Sequence, residues 1–140
     1  MTLIEKYIHE DVGYNPIFIR DGWQVAKLNP LPGHGLDEID KIEVHNDTDE
    51  IFVLISGTAI LIGAEIDTDN ISFETVTMKP GIIYNIPKKG WHNIAMKEGT
   101  EIIIVEKDNT HLKDCRYKAL NSEQQERLKL LIKNNLKTIK

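Results

Sequence analysis

Residues 43–57 read EVHNDTDEIFVLISG, and residues 81–96 read GIIYNIPKKGWHNIAM. In each stretch, polar turn residues separate two short runs that are rich in aliphatic and β-branched side chains. The run 51–55 has the length and the bounding turns of a buried strand. After His92, the alternate positions hold Ile94 and Met96, which indicates a strand with one apolar face. Both stretches therefore predict a strand, a turn and a second strand.

The same pattern extends outward from these stretches through the first 106 residues. Short β-rich runs are predicted at 17–20, 23–28, 41–45, 50–55, 58–64, 71–78, 82–86, 92–96 and 100–106. Turn pairs such as Asp21-Gly22 and Pro80-Gly81 separate them. Many short strands with turns about every 8–12 residues are typical of an antiparallel sandwich or barrel. We therefore predict an all-β fold for this part of the chain.

The residues after 120 change from strand periodicity to helix periodicity. Ser122 and Gln125 have the spacing of a capping box, which marks the start of a helix. The apolar residues that follow recur at helical spacing: Leu128, Leu131, Ile132, Leu136 and Ile139. We predict an amphipathic C-terminal α-helix over about 122–137. Its apolar stripe must cover either the chain's own β structure or a neighbouring subunit.

Length, charge and cysteine content limit the classes of function. The 140 residues suit a single domain, 1–140. A net charge of −5 without a basic cluster argues against binding to a nucleic-acid backbone. The apolar run 51–55 is far shorter than the roughly 20 residues that span a membrane. The single Cys115, together with a start that lacks a signal-peptide pattern, predicts a cytoplasmic protein.

The stretch 43–50 brings three potential metal ligands together. Strand alternation puts Glu43 and His45 on the same face. The short turn after His45 then returns Glu50 opposite these two residues. Phe52 and Leu54 continue the face of Glu50 and are suitable core residues. The face that carries Glu50 is therefore predicted to be the interior.

His92 offers a second imidazole from a distant stretch. If the face of Ile94 and Met96 is also interior, His92 enters the same cavity as His45 and Glu50. Two imidazoles and a carboxylate match a facial triad with open positions, which suits Fe(II), Mn(II), Ni(II) or Zn(II). A divalent ion would also relieve the repulsion between two close carboxylates. The alternative is that both histidines are structural residues beside a solvated acidic turn.

The first stretch resembles the first sequence motif of the cupin superfamily, G-x5-H-x-H-x3,4-E-x6-G. The spacing from Glu50 to Gly57 fits in full, and His45 stands at a fitting distance before Glu50. The sequence departs from the start of the motif. Glu43 takes the place of the leading histidine, and no glycine precedes it at the spacing of the motif.

The second stretch resembles the second cupin motif, G-x5-P-x-G-x2-H-x3-N. Gly81 and Pro87 fit, and His92 follows Pro87 five residues later. Lys89 replaces the motif's glycine, and Met96 replaces its final asparagine. The order of the motifs and the gap between them also fit a small cupin. Together the two motifs cover roughly residues 40–106.

The resemblance implies a double-stranded β-helix, the jelly-roll barrel of cupins, over about 17–106. Carried over position by position, the family's divalent-metal ligands are Glu43, His45, Glu50 and His92. The metal would be Fe, Mn, Ni or Zn. In proteins that resemble this one, a β-prone N-terminal segment, here 7–20, often pairs with the sheet of a partner. We therefore expect a homodimer.

Three functions stay open at this point. The chain is a small metal-dependent cupin that acts on a polar small molecule, a non-catalytic cupin that binds a small molecule without metal, or a barrel with a vestigial pocket. Tyr84 is a candidate polar contact or general acid of the pocket, or else a core tyrosine with a bonded hydroxyl. His34 is either a lid residue or an exposed loop histidine. Cys115 is a poor candidate nucleophile, because no histidine lies near it in the sequence.

Overall fold

Two five-stranded antiparallel sheets and a C-terminal helix form the fold. The structure is a computed structural model and describes residues 2–137. Its elements in chain order are β1 (Gly13–Arg20), β2 (Trp23–Asn29), β3 (Lys41–Val44), β4 (Glu50–Ser56), β5 (Ala59–Asp67), β6 (Asn70–Thr77), β7 (Tyr84–Ile86), β8 (Trp91–Met96), β9 (Glu101–Lys107), α1 (Thr110–Lys113), β10 (Arg116–Ala119) and α2 (Ser122–Lys137). Ile139, predicted at the end of the helical stripe, lies outside the described residues. Within 2–137 no helix combines the length and the apolar character that a membrane span needs.

The chain crosses repeatedly between two sheets, although the hairpins β1–β2 and β5–β6 each stay within one sheet. One sheet has the order β1-β2-β9-β4-β7, and the other has the order β10-β3-β8-β5-β6. Because side chains alternate along a strand, each sheet turns one apolar face toward the other. The buried residues between the sheets are Ala26, Leu28, Phe52, Leu54, Ala59, Leu61, Met78, Ile94, Met96, Ile102 and Ile104. The prediction of an all-β jelly-roll barrel with a C-terminal helix is confirmed.

Helix α2 covers the outer face of the second sheet. Its buried residues Leu128 and Ile132 belong to a second apolar cluster, which also holds Ile60 and Ile62 of β5. Arg127 fastens the helix to β6, because its Nη1 donates a hydrogen bond to the Ile71 carbonyl at 2.7 Å. Of the two predicted arrangements, the helix therefore adopts the one in which it covers the chain's own barrel.

The capping box of α2 lies one residue earlier than predicted. Asn121 Oδ1 accepts the backbone N–H of Gln124 at 2.8 Å, and Gln124 Oε1 accepts the backbone N–H of Asn121 at 2.9 Å. The predicted pair of Ser122 and Gln125 is wrong, since Gln125 Nε2 donates to the Leu120 carbonyl instead. Asparagine caps a helix as well as serine does, and the two candidate pairs overlap in the sequence.

The sheets extend beyond the predicted barrel limits of 17 and 106 at both ends. Strand β1 begins at Gly13, and β10 adds a strand after the short helix α1. The sequence did not predict β10, because all four of its residues, 116–119, are exposed and it has no apolar face. Antiparallel pairing with β3 holds it in place. Segment 108–119 therefore lies beside the stretch that carries the candidate ligands.

Two motif positions have the left-handed backbone that favours glycine. Gly57 has φ +93°, and a Cβ there would lie 2.5 Å from the Thr100 Cα, so the tight approach of these two turns requires glycine. Lys89, which replaces the glycine of the second motif, also has a positive φ of 71°. The motif glycine thus serves a turn, and lysine occupies that turn here under backbone strain.

Candidate functional site

Strand pairing places the predicted ligands at one end of the barrel. Glu43 of β3 stands directly opposite His92 of β8 in the ladder. His45 follows the end of β3, and Glu50 is the first residue of β4. Three separate pieces of chain therefore bring their side chains to one point.

The turns that carry these residues are fastened to each other. Lys89 donates its backbone N–H to the His45 carbonyl at 2.7 Å. The Asp49 carboxylate accepts the backbone N–H of Lys88 at 2.9 Å and the Nδ2 of Asn85 at 3.2 Å. These bonds lower the pKa of Asp49, so it stays ionised and keeps them. The two motif turns thus form one rigid rim.

The four predicted ligands meet in a single cluster. One ligand atom from each residue lies within 4.8 Å of the others in the set Glu43, His45, Glu50 and His92. Glu50 Oε1 is 2.7 Å from His92 Nε2 and 3.4 Å from His45 Nε2. Glu43 Oε1 is 3.5 Å from His92 Nε2. His45, Glu50 and His92 are buried, and Glu43 is partly exposed.

Backbone carbonyls fix the orientation of both imidazoles. His45 Nδ1 lies 2.5 Å from the carbonyl oxygen of Asp114, and His92 Nδ1 lies 3.0 Å from that of Gly90. A carbonyl oxygen only accepts, so each Nδ1 carries the proton that it donates. Each Nε2 then faces the cluster with its lone pair available in the neutral ring. This is the outer-shell arrangement found around metal-bound histidines.

Electrostatics couple the cluster tightly. Burial opposes a charge on His45 and on His92, but the adjacent Glu50 outweighs it and raises the pKa of both imidazoles. Burial also opposes a charge on Glu50, yet the two adjacent imidazoles lower the pKa of this carboxyl below its ordinary value. Each group therefore favours its ionised form because of the others.

The residues present fit a divalent cation. Glu50 Oε1 and His92 Nε2 are both buried and have no hydrogen-bond partner in the described chain, even though they lie 2.7 Å apart. Buried polar atoms in a native fold normally have a hydrogen-bond or metal partner, so these two unpaired atoms, which face one point, need a common partner. Two imidazole nitrogens and two carboxylate oxygens form a donor set that suits a first-row transition ion.

A further buried acid, Glu106, lies beside the cluster. Thr110 Oγ1 forms a hydrogen bond with Glu106 Oε1, and the neighbouring Glu50 is close enough to interact with it. Burial, followed by the charge and hydrogen bonding of Glu50, raises the pKa of Glu106 well above its ordinary value. Sequence reasoning missed this residue. Its signal is the alternation of β9, in which Ile102, Ile104 and then Glu106 face inward.

Three members of the cluster, Glu43, His45 and Glu50, line a cavity of about 500 Å³ inside the barrel, whereas His92 contacts Glu50 but is not itself a lining residue. Apolar walls come from both sheets, including Leu28, Phe52 and Ile104. His34, predicted as either a lid or an exposed residue, is half-buried in the lining, where its Nδ1 lies 3.1 Å from the Ile94 carbonyl. Burial lowers the pKa of His34, which favours its neutral form. The cavity thus combines an apolar body with polar groups at the cluster end.

Two other predicted residues have defined surroundings. The Tyr84 hydroxyl accepts the backbone N–H of Lys79 at 2.9 Å, and Tyr84 lies outside the residues that line the cavity. Its predicted catalytic role stays a prediction. Cys115 does line the cavity, and its Sγ lies 3.3 Å from Glu43 Oε2. Burial raises the pKa of the Cys115 thiol to about 12, so it stays protonated and makes a weak nucleophile.

Comparisons with known proteins find similarity at the level of structure. No protein-family model matches the sequence, and no curated protein matches it. A Streptomyces PAC13 variant solved with uridine superposes with a TM-score of 0.58 at 14% identity, over 87% of this chain and 96% of that chain. Hydroquinone 1,2-dioxygenase from a Sphingomonas strain, with 4-hydroxybenzoate bound, gives 0.53 at 7% identity, over 71% and 68%.

A cupin-2 domain containing protein from Shewanella frigidimarina gives a TM-score of 0.49 at 23% identity, over 70% of this chain and 82% of that chain. Likenesses at such low identities concern the fold alone. The repeated crossing of the chain between two antiparallel sheets, with the motif turns at one end of the barrel, leads to the same assignment. The chain has the cupin fold.

Proposed function

We propose that the protein is a small divalent-metal-dependent cupin that acts on a polar small molecule. The proposed metal ligands are Glu43, His45, Glu50 and His92. One observation carries the proposal: these side chains, from three separate pieces of chain, converge within 4.8 Å at the cluster end of a cavity. The solved neighbours with uridine and with 4-hydroxybenzoate make a small polar ligand a reasonable expectation for this barrel as well.

The residues define what each part of the site would do. A divalent ion held by the cluster would act as a Lewis acid toward an oxygen of the bound molecule. The two Nδ1 hydrogen bonds hold the imidazoles in the ligating tautomer, and the carboxylates of Glu43 and Glu50 offset the charge of the ion. The apolar walls exclude water from the ligand, which strengthens electrostatic interactions inside the cavity.

Metal content tests the proposal directly. Protein purified without chelator, then titrated with Fe(II), Mn(II), Ni(II) and Zn(II), should hold about one ion per chain by elemental analysis. His92→Ala should lose most of that metal. His34→Ala removes an imidazole that lines the same cavity outside the cluster, so it should keep the metal. Wild-type protein that binds none of the four ions would contradict the proposal.

A metal-free binding protein is the second candidate, and one observation favours it. The cluster has an internal balance of charge, because Glu50 and Glu43 lie within ion-pair distance of the two imidazoles. Two protonated histidines and two carboxylates would be neutral without an ion. A protein that binds a small molecule in the cavity with equal affinity before and after treatment with a chelator would support this candidate.

We also infer a homodimer that forms through the N-terminal segment. Strand β1 is an edge of its sheet, and an open edge favours pairing with another chain. Leu3, Ile4, Ile8 and Val12, just before it, are each more than 70% exposed. Light scattering after gel filtration should give twice the chain mass of 16.0 kDa, and removal of residues 1–12 should give the monomer.

A further inference from the structure

A second polar group of residues lies in the cavity, apart from the metal cluster, and it centres on Tyr14 of β1. Tyr14 lines the cavity together with His45, Glu50 and Glu106. Its ring contacts His111 at a centroid separation of 5.3 Å, and Gln24 of β2 lies behind both residues. None of these three residues belongs to the candidate ligand set.

The buried Gln24 has only one possible orientation. Its Oε1 accepts the backbone N–H of Asn109 at 2.9 Å, so the opposite atom must be the amide nitrogen. That Nε2 donates to the Tyr14 hydroxyl at 2.8 Å and lies 3.2 Å from His111 Nδ1. Because Gln24 is completely buried, water does not compete for either hydrogen. Both amide hydrogens are therefore used.

This fixed amide decides the direction of the next hydrogen bonds. The Tyr14 oxygen accepts from Gln24, so the phenolic proton must point elsewhere. No acceptor for that proton lies within hydrogen-bond distance in residues 2–137. His111 Nδ1 likewise accepts, which leaves the ring proton on Nε2. Tyr14 thus presents a donor to the cavity that the protein itself does not satisfy, which is a costly arrangement unless a ligand or water accepts it.

The surroundings select the kind of acceptor. The charged groups that act on the Tyr14 hydroxyl are the carboxyls of Glu106, Glu50 and Glu43, and none of them carries positive charge in any protonation state. An anionic group at Tyr14 would be repelled by these carboxyls whenever they are ionised. A hydroxyl or carbonyl oxygen accepts the bond without that penalty. The apolar wall of Leu28 and Ile104 leaves room beside it for a carbon skeleton.

We propose that Tyr14, oriented by Gln24, is a ligand-binding residue that donates a hydrogen bond to a neutral hydroxyl or carbonyl oxygen of the molecule in the cavity. The ligand class is a small uncharged polyoxygenated compound, such as a sugar or a nucleoside. The inference rests on the proposed function for the other end of the ligand, where a second oxygen meets the metal cluster. It assigns to Tyr14 a contribution to specificity that metal ligation alone does not provide.

The experiment compares neutral and anionic probes of matched skeleton. Binding of D-glucose, D-ribose and thymidine, and of their anionic partners D-glucuronate, ribose 5-phosphate and thymidine monophosphate, is measured by calorimetry with and without added Zn(II). We expect at least one neutral probe to bind, and to bind more tightly than its anionic partner. Tyr14→Phe should weaken that binding at least tenfold. Binding of none of the neutral probes, or tighter binding of the anions, would overturn the proposal.

Two further variants separate the hydroxyl's role from general damage. Tyr7→Phe deletes an exposed tyrosine hydroxyl outside the cavity and should leave probe binding unchanged. Gln24→Glu keeps the acceptor for Asn109 but accepts from Tyr14 as well, so it reverses that bond and consumes the free proton. It should reproduce the loss caused by Tyr14→Phe, and it keeps the test valid if one of the two variants does not fold. Unchanged neutral-probe binding in a folded variant would refute the role of Tyr14.

The proposed metal function is tested separately in the same samples. Zn(II) affinity of Tyr14→Phe should equal that of the wild type, because Tyr14 lies outside the ligand cluster. If the wild type binds no metal but still binds a neutral probe in a Tyr14-dependent way, the proposed metal function fails and the inference about Tyr14 stands. If metal binds and Tyr14→Phe leaves probe binding unchanged, the proposed metal function stands and the inference about Tyr14 fails.

Discussion

Asp114 lies outside the ligand set but holds two parts of the site in place. Its carboxylate accepts the backbone N–H of Asn46 at 2.8 Å and that of Asp47 at 2.7 Å. Its carbonyl oxygen accepts from His45 Nδ1. One residue of the segment between α1 and β10 therefore holds both the turn after β3 and the orientation of an imidazole. Asp114→Ala removes the two hydrogen bonds to the carboxylate. It also leaves the backbone of residue 114, whose carbonyl accepts from His45, less firmly held.

The size of the effect follows from these bonds. A hydrogen bond from a backbone N–H to a charged group contributes about 1.5–3 kcal/mol when it is well buried. The bond to Asp47 is exposed and the bond to Asn46 is only partly buried, so we take the lower part of that range. Asp114→Ala should lower the free energy of unfolding by about 2–3 kcal/mol in total. At about 3 °C per kcal/mol for a domain of this size, Tm should fall by about 5–10 °C.

Two assays check the reasoning. Thermal unfolding followed by circular dichroism measures the stability, and Zn(II) titration in competition with a chromophoric chelator measures the affinity. Because changes in the groups that orient a ligand typically cost 10–100-fold in metal affinity, we expect a Kd at least tenfold higher in Asp114→Ala. Asp114→Asn keeps one acceptor and should lose about half as much stability. Asp47→Ala, an exposed carboxylate in the same turn, is the matched control. An Asp114→Ala protein with wild-type Tm and wild-type Zn(II) affinity would refute the account.

Three other outcomes follow from the structure. Because the pKa of His45 and of His92 is raised in the metal-free protein, a bound ion must displace protons from these imidazoles. The Kd for Zn(II) should therefore fall as pH rises from about 6 to 8, by up to tenfold per pH unit for each proton released. A Kd independent of pH would contradict this. Lys89→Gly removes the side-chain strain of a left-handed backbone and should raise the free energy of unfolding by about 0.5–1 kcal/mol. Lys88→Gly, at the neighbouring position, should lower it. Urea denaturation of the two variants measures both changes. Asn121→Ala removes the N-cap of α2 and should cost about 1 kcal/mol in the same assay, with an unchanged midpoint as the contrary result.

Much of the fold was predictable from short-range patterns. Period-two alternation around residues 50–56 and 91–96 predicts buried strands, and the change to helical spacing after 120 predicts α2. These signals are local, because the periodicity of a strand or a helix is set by residues that are close together in the sequence. The capping box shows the limit of such patterns. Asn121 and Ser122 offer equivalent caps one residue apart, and the hydrogen bonds that identify Asn121 as the cap are seen only in the folded structure.

The candidate ligands could be proposed from the sequence, but the residues that hold those ligands in position could not. Glu43, His45, Glu50 and His92 stand at motif-like spacing in two stretches. The acceptor for His45 comes from residue 114, and the turn that positions His92 is fastened by Asp49. Contacts between residues far apart in the chain depend on how the two sheets close, and no local spacing encodes that closure.

The amino-acid sequence alone determined the kinds of strand and helix that form, the turns that need glycine-like backbone, and a set of acids and imidazoles that suit a metal. The tertiary structure decided which of these side chains meet in the cavity. It placed Glu106 against Glu50, directed the Gln24 amide at the Tyr14 hydroxyl, and brought the polar strand β10 alongside β3. The physical reason is that periodicity fixes only the face on which a residue lies. The partner it meets across the barrel is fixed by the register of strands that are distant in the sequence.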